Sequence, residues 1–229
     1  MEHPFLIFVK LFEVIGLGHF AHEYPQVIYS WVVMAVLIIL GAFGAKHITL
    51  IPNKVQNVFE MIISSLEEFT VDTAGEESRW FFPFLATIFL YIFLGNLAGL
   101  VPGFFSPTAD LNTTLSCAIP VFFFTHYIGV KAHGLKYLKH FMGPFWWLAP
   151  IFIPIEIISH LSRVLSLSFR LFGNIMGKEL VLAILFMLAG AFFAPLPIMA
   201  LGVFVSFVQA FIFYLLSTMY FALAMEDDH

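Results

Sequence analysis

Five long apolar stretches run through the sequence and are separated by short polar segments. They cover residues 27–45, 80–101, 111–130, 144–188 and 191–225. A helix needs roughly 20 apolar residues to cross about 30 Å of hydrocarbon, and every stretch is close to or beyond that length. Their residues do not alternate between apolar and polar as in a membrane β-barrel, so the pattern predicts about five membrane-inserted helices.

The segment 53–74 has a different pattern, in which apolar residues recur at helical spacing. One face carries Val55, Val58, Phe59, Ile62, Leu66 and Phe69, whereas Glu60, Glu67 and Glu68 are among the polar positions. This spacing predicts an amphipathic helix that lies on the membrane surface. Helices that bind anionic lipid have a basic polar face, so the acidic face here favours a protein partner.

Composition puts the chain in the class of integral membrane proteins. Hydrophobic residues make up 61% of the sequence and charged residues only 11%, which is far from the usual composition of soluble domains. Together with the helical stretches, this predicts an all-α integral membrane protein with a single membrane domain over residues 1–229.

Several other classes of site are excluded by the same inventory. The net charge of -5 leaves no basic surface for nucleic acid, and a single Cys117 excludes an internal disulfide framework. His19 and His22 have a spacing that a metal could use, but the sequence offers no further ligands beside them. We therefore predict no nucleic-acid partner, no metal site and no cofactor.

The positions of Lys and Arg predict which loops face the cytoplasm. Lys46, Lys54 and Arg79 flank the segment between the first two spans, and Lys131, Lys136 and Lys139 follow the third span. The positive-inside rule therefore assigns both regions, and the C-terminus, to the cytoplasm. Residues 1–26 lack the basic region of a signal peptide, so they are predicted to remain as an extracytoplasmic arm.

The stretch 144–188 is too long for one upright span. If Pro144, Pro150 and Pro154 form an irregular lead-in, a helix over 155–188 is roughly 50 Å long and fits the membrane only at a tilt beyond the usual range of about 40°. One interpretation is two shorter spans joined by a turn at 163–179. The other is a single slanted helix, which the apolar run VLSLSFRLFGNIM favours because a solvated loop would not be so hydrophobic.

In a helix, polar side chains of this stretch form one stripe. At 100° per residue, those within about 40° of Arg170 are Glu156, Ser159, Arg163, Ser166 and Asn174. Glu179 points in the opposite direction, roughly 13 Å further along the axis. A charge at the bilayer centre costs about 2.5 to 3.5 kcal/mol, so Arg170 indicates an ion pathway or a partner charge from another subunit. In the last stretch, Gln209 either hydrogen bonds across the helical hairpin or acts in ion movement.

Several motifs closely resemble subunit a of the membrane sector of F-type ATP synthases. The most specific are SLSFRLFGNIMGKELV at 166–181 and FVQAFIFYLLSTMYFALA at 207–224. Others are FPFLATIFLYIFLGNLAGLVPG at 82–103, PTADLNTTLS at 107–116 and the glutamate of PIEIISHLSR at 154–163.

The resemblance implies a stator that lies against a rotating ring of c subunits, each with one membrane-embedded carboxylate. It implies a steeply tilted helical hairpin at 144–225 facing that ring, and a peripheral stalk of subunit b as a further partner. The chain would be a non-catalytic, multi-pass subunit of a proton-translocating ATPase in the bacterial inner membrane.

The resemblance also assigns roles to Arg170, Asn174, Glu179, Gln209 and Glu156, and the ion path predicted on that basis adds Lys178, Ser166 and Ser159. Arg170 matches the family's essential arginine, which separates two offset half-channels. The outer path holds Glu179, Lys178, Asn174 and Gln209, and the inner path holds Ser166, Ser159 and Glu156. Relatives often carry a histidine near the late glutamate, where this chain has Lys178 and Gly202. Lys178 either acts on Glu179 within the path or extends its stem toward the membrane surface.

Two other functions remain as alternatives. A secondary transporter could bind an anionic solute between Arg170 and Glu179, and it would show inverted repeats, which the halves 27–130 and 144–225 lack. An intramembrane hydrolase would need a Ser/His/Asp or zinc arrangement. None is evident, so His160 is interpreted as a helix-packing residue.

Overall fold

The computed structural model describes residues 13, 18–46, 54–101, 103–134, 137, 149–189 and 195–226. Within those ranges the chain is helical and has no strand, which confirms the all-α class. The α-helices are α1 (Gly18–Glu23), α2 (Pro25–Lys46), α3 (Lys54–Ala74), α4 (Phe82–Ala98), α5 (Leu111–His133), α6 (Ala149–Ala189) and α7 (Pro195–Met225). Short 3-10 turns lie at Glu76–Trp80 and Pro107–Ala109.

The apolar helices have the lengths that a membrane requires. α2, α5, α6 and α7 each contain an apolar segment long enough to cross a bilayer, and α4 is a shorter apolar helix of 17 residues. The chain is therefore a multi-pass membrane protein.

Helix α6 is continuous over 41 residues and is about 60 Å long. The interpretation as two spans with a turn at 163–179 is therefore wrong, and the single-helix interpretation is confirmed. The helix also begins earlier than the predicted lead-in allowed. Pro150 lies in its first turn, where a missing N–H costs no helical hydrogen bond, and Pro154 lies inside it. Pro144 lies outside the described residues.

The core lies where α7 meets the other helices. α7 packs against α3, α4, α5 and α6. From α6, the residues Leu167, Leu171, Ile175 and Leu182 are buried, at spacings that put them on one face. Large apolar side chains on its other faces, such as Phe169 and Met176, are about half exposed. Much of α6 therefore presents an apolar surface that the described part of the chain does not cover.

The predicted amphipathic helix is confirmed as α3, but only part of its apolar face packs inside the protein. Leu66 is buried and Val55 is 69% exposed. Tyr214 of α7 donates a hydrogen bond to the Leu66 carbonyl at 2.7 Å and also contacts the Thr70 hydroxyl. The C-terminal half of α3 is thus attached to α7, while the N-terminal half leaves apolar side chains exposed.

An ion-pair cluster follows α3. Arg79 contacts Glu67 at 2.9 Å and Glu76 at 2.7 Å. Arg79 lowers the pKa of the Glu76 carboxyl by hydrogen bonding and by its charge. The cluster connects α3 to the 3-10 turn that leads into α4.

Candidate functional site

Arg170 lies on the exposed side of α6. Its neighbour Leu171 is fully buried, so the backbone is anchored while the guanidinium points away from the core. Among the described residues, no side chain forms an ion pair or a hydrogen bond with Arg170. Gly173 and Gly177 follow it on the exposed surface, and a Cβ added to either would meet nothing within 4 Å. A partner could therefore approach the α6 backbone closely beside Arg170.

Asn174 and Gln209 connect the two long helices one turn after Arg170. Asn174 Nδ2 donates to Gln209 Oε1 at 2.6 Å. Gln209 is 3% exposed, so its amide lies inside the bundle and the bond fixes α6 against α7. Of the two roles considered for Gln209, the cross-hairpin hydrogen bond is present, and the role in ion movement stays a prediction.

We expect this amide pair to contribute about 0.5 to 1 kcal/mol to stability, the usual range for such bonds inside a membrane. The coupling free energy should appear in a double-mutant cycle of Asn174→Ala and Gln209→Ala, measured by denaturant unfolding in mixed micelles. Ser162→Ala serves as the control because the Ser162 hydroxyl bonds only locally, to the Ser159 carbonyl. Strictly additive effects would contradict the prediction.

Glu179 lies on the opposite side of α6 from Arg170, and Lys178, which lies between these two directions, also turns toward the core. Glu179 Oε1 accepts a hydrogen bond from the Ser106 backbone N–H at 3.1 Å. Lys178 Nζ donates to the Asn96 carbonyl at 3.0 Å and to Ser206 Oγ at 3.3 Å. The opposite directions of Arg170 and Glu179 agree with the helical arithmetic. The transporter alternative requires one solute site between Arg170 and Glu179. The opposite directions of these two side chains do not form such a site.

Lys178 caps the C-terminal end of α4. Near a helix C-terminus the last carbonyls lack helical N–H partners, and the Leu100 N–H bonds to Leu97 rather than to Asn96. The ammonium of Lys178 supplies the Asn96 carbonyl with a donor and lies favourably at the negative end of the helix dipole. The side chain therefore turns inward and does not extend along its stem toward the membrane surface.

Gly202 leaves room for the lysine stem. A Cβ on Gly202 would lie 2.6 Å from Leu100 Cδ2 and 3.3 Å from Lys178 Cδ. A histidine at position 202 would displace both side chains. The lysine and the glycine are thus sterically matched.

Sequence reasoning missed a buried polar network that supports these charges. Ser106 Oγ donates to the Gly95 carbonyl and contacts Thr108 Oγ1, both at 2.9 Å. The Asn96 side chain accepts from Thr108 at 2.5 Å and donates to the Ser206 carbonyl at 3.3 Å. The one available signal was the presence of polar residues inside otherwise apolar segments.

A second group of titratable side chains lies near the start of α6. Glu156 is 3.2 Å from His160 Nε2, and the ring of His160 lies 4.8 Å from the ring of His126 between centroids. Arg163 sits over the Tyr220 ring at 5.3 Å, beside a small cavity that Thr125 and His160 also line. His160 therefore packs between helices, as interpreted, and it also contacts a carboxylate.

The predicted site residues thus fall into separate groups along α6. Ser159 is half-buried near Glu156, and Ser166 is exposed on the side of Arg170. Glu156 and Arg170 are separated by 14 positions, or about 21 Å of helix.

In the N-terminal region His19 lies 3.6 Å from Glu23 and His22 contacts Glu13. No group of three or more potential metal ligands occurs in the described part of the chain.

The sequence of the chain is similar to a family of known proteins. The family model described as ATP synthase A chain matches residues 27–222. The chain is 66% identical over 229 residues to a protein of Desulfosudis oleivorans named ATP synthase subunit a, and the match covers all of both chains. Proteins of the same name from Syntrophobacter fumaroxidans and Desulfotalea psychrophila are 53% and 50% identical over 240 residues, again over the whole of both chains.

Proposed function

Because this chain belongs to the ATP synthase A chain family, we propose that α6 and α7 form the stator surface over which a ring of c subunits turns. In this proposal Arg170 faces the ring and separates two offset half-channels for protons. The chain is a membrane subunit of the ATP synthase complex and is not catalytic by itself.

The position of Arg170 supports this function most directly. Its guanidinium is exposed on an apolar helix surface and has no acidic partner among the residues described. A cation in that setting is costly unless another chain supplies the counter-charge. A carboxylate on each ring subunit would supply it once per step, and the open surface at Gly173 and Gly177 would let that subunit come close.

The chemistry of the two groups suggests how the stator works. A carboxyl group that faces lipid is desolvated, which holds it in its neutral form. Beside Arg170 the anionic form is stabilised, so the proton is released. A guanidinium does not deprotonate in proteins, so Arg170 cannot pass that proton onward. Protons would therefore travel around with the ring instead of leaking past the arginine.

The two paths lie on different sides of this barrier. Protons would arrive from outside by way of Glu179, Lys178, Asn174 and Gln209. They would leave to the cytoplasm by way of Ser166, Ser159 and Glu156. Each unit charge moved down 100 mV releases about 2.3 kcal/mol, which would drive rotation.

We also propose an orientation and partners. The N-terminus lies outside and the C-terminus in the cytoplasm of the bacterial inner membrane, on the basis of the cation distribution. The half of α3 whose apolar side chains are exposed, including Val55 and Val58, favours contact with the peripheral stalk of subunit b. The length of α6, about twice the hydrocarbon thickness, supports a steeply tilted hairpin against the ring.

Co-purification tests the assignment to the complex. The chain, tagged at one terminus and expressed in its native host, should bring down a small two-helix proteolipid and a soluble ATPase from mild detergent. The proteolipid should carry one carboxylate within its spans. Purification of the chain without either component would contradict the proposed function.

The outer path makes a quantitative prediction for Glu179→Gln. ATP-driven proton pumping in inverted vesicles should fall by about tenfold, because a path residue that cannot ionise slows proton delivery without removing the Arg170 barrier. Acridine-dye quenching on addition of ATP measures the rate. Glu68→Gln is the control, since Glu68 is exposed on α3. Full activity of Glu179→Gln would remove Glu179 from the path.

A further inference from the structure

We propose that Gly99 and Ser106 together form a fitted pocket that holds the Glu179 carboxylate in one orientation. The backbone N–H of Ser106 is the donor, and the absence of a side chain at Gly99 provides the space. Both are positioning residues for proton movement through Glu179, so the proposal rests on the proposed function of that carboxylate. We call this arrangement the Glu179 pocket.

The donor in the Glu179 pocket requires an acceptor. Ser106 is fully buried and has extended backbone angles, with φ −77° and ψ 114°, so it belongs to no helical ladder. A buried backbone N–H without a hydrogen bond costs about 1 to 3 kcal/mol. Glu179 Oε1, at 3.1 Å, is the acceptor that satisfies it. The bond thus stabilises the loop as well as the carboxylate.

The donor is held in place independently of Glu179. The Ser106 side chain bonds to the Gly95 carbonyl and to Thr108, and Thr108 bonds in turn to Asn96. Pro107 follows directly and has a restricted backbone. Because these contacts fix the loop against the end of α4, the N–H cannot follow the carboxylate if the carboxylate moves.

Gly99 shapes the opposite side of the pocket. A Cβ on Gly99 would lie 2.6 Å from Glu179 Oε1 and 2.7 Å from Ser106 Cβ, both too close for real carbon contacts. One turn earlier on the same helix, a Cβ on Gly95 would have its nearest neighbour at 3.5 Å, an ordinary contact. The requirement for glycine is therefore specific to the position that faces the carboxylate.

The pocket leaves half of the carboxylate available. Oε1 is occupied by Ser106, while Oε2 has no hydrogen-bond partner among the residues that the structure describes. A carboxylate held by one oxygen presents the other in a constant direction, which is what proton exchange with a passing donor needs. Gly99 and Ser106 thereby set the direction of exchange without taking a proton themselves.

A double-mutant cycle tests the steric half of the proposal. Gly99→Ala should lower ATP-driven pumping by about tenfold, since a displaced reacting group loses rate steeply. Aspartate is shorter by one methylene, so in the Glu179→Asp background the added methyl group displaces Ser106 alone, whose N–H then no longer orients a carboxylate. The double variant should then pump as fast as Glu179→Asp alone. Gly41→Ala is the control, because a Cβ there meets nothing within 4 Å.

A pair of substitutions at Ser106 tests the donor. Ser106→Ala loses the hydroxyl and keeps the N–H, whereas Ser106→Pro loses both and suits the observed φ. At equal amounts of assembled complex, Ser106→Pro should pump several-fold more slowly than Ser106→Ala. The two should pump equally in a Glu179→Ala background.

The outcomes separate this inference from the proposed function. An equal loss on Gly99→Ala in the unmodified chain and in the Glu179→Asp background would overturn the pocket, and so would equal pumping of the two Ser106 variants. If Ser106→Pro fails to assemble, the double-mutant cycle of Gly99→Ala and Glu179→Asp alone tests the Glu179 pocket. Normal pumping by Gly99→Ala beside an impaired Glu179→Gln would remove the pocket and leave the path intact. Normal pumping by both would remove Glu179 from the path.

Discussion

Replacing Arg170 with alanine or glutamine is expected to abolish ATP-driven proton pumping, with a loss of more than about 100-fold. Without the guanidinium, nothing on the stator surface favours the anionic form of a passing ring carboxylate. Nothing would then stop a proton from crossing between the half-channels either. The loss should therefore affect both the driven pumping and the barrier to passive proton flow.

The same replacement should leave the fold intact. The Arg170 side chain is exposed and forms no hydrogen bond or ion pair with the residues that the structure describes, while Leu167 and Leu171 anchor the same turn of α6. Insertion and assembly, followed by immunoblot of washed membranes, should match those of the unmodified chain. This expectation separates a functional role from a structural one.

Two further variants test whether pumping depends on the guanidinium of Arg170 itself. Arg170→Lys keeps the charge as a compact ammonium that can deprotonate when desolvated, so pumping should remain strongly impaired. Arg79→Gln is the matched control, because Arg79 is exposed and pairs with Glu67 and Glu76 outside the hairpin. It should pump at nearly the normal rate. Normal coupled pumping by Arg170→Gln would contradict the proposed mechanism.

The main features of α6 could be predicted because they depend on local pattern. A long apolar run favoured one helix over two spans joined by a turn, and 3.6-residue periodicity separated Arg170 from Glu179. Both features appear in the structure. The start of the helix was misjudged because Pro150 and Pro154 were assigned to an irregular lead-in, whereas the helix begins at Ala149. A proline near the first turns removes few hydrogen bonds, so the helix continues through it.

The surroundings of Lys178 and Glu179 could not be predicted for a different reason. Their partners are a backbone carbonyl at Asn96 and a backbone N–H at Ser106, which lie 82 and 73 positions away in the sequence. Every residue has a backbone carbonyl and every residue except proline has a backbone N–H. A sequence pattern therefore does not reveal which of these groups will bind a charge. The packing of α6 against the Pro107–Ala109 turn, and of α4 against α7, brings these groups to the two charges.

Replacing Lys178 with methionine is expected to lower both stability and pumping. Methionine keeps much of the apolar volume of the stem but offers no donor. The Asn96 carbonyl would then keep only the Ser206 hydroxyl, at 3.3 Å, as a side-chain donor. Glu179 would also lose the cation next to it. Loss of a charged donor in such a site costs about 2 kcal/mol, or about 5 °C in melting temperature for a chain of this size.

Charge balance distinguishes the two roles of Lys178. Removal of one member of a buried pair of opposite charges leaves the other uncompensated, whereas removal of both is far less costly. The double variant Lys178→Met/Glu179→Gln should therefore regain the part of the melting temperature lost to the uncompensated carboxylate, but not the part lost with the donor to the Asn96 carbonyl. It should not regain pumping, because the outer path would still lack its carboxylate.

A control variant and the pattern of losses distinguish a capping role of Lys178 from a role in proton movement. Lys54→Met, at an exposed position at the start of α3, should change neither quantity. An unchanged melting temperature for Lys178→Met would mean that the ammonium does not hold the end of α4. If stability falls and pumping stays normal, Lys178 is a structural cap alone. Loss of both stability and pumping in the single variant, with partial recovery of stability and no recovery of pumping in the double, assigns it to both tasks. The lysine would then compensate a carboxylate that has to ionise inside the membrane.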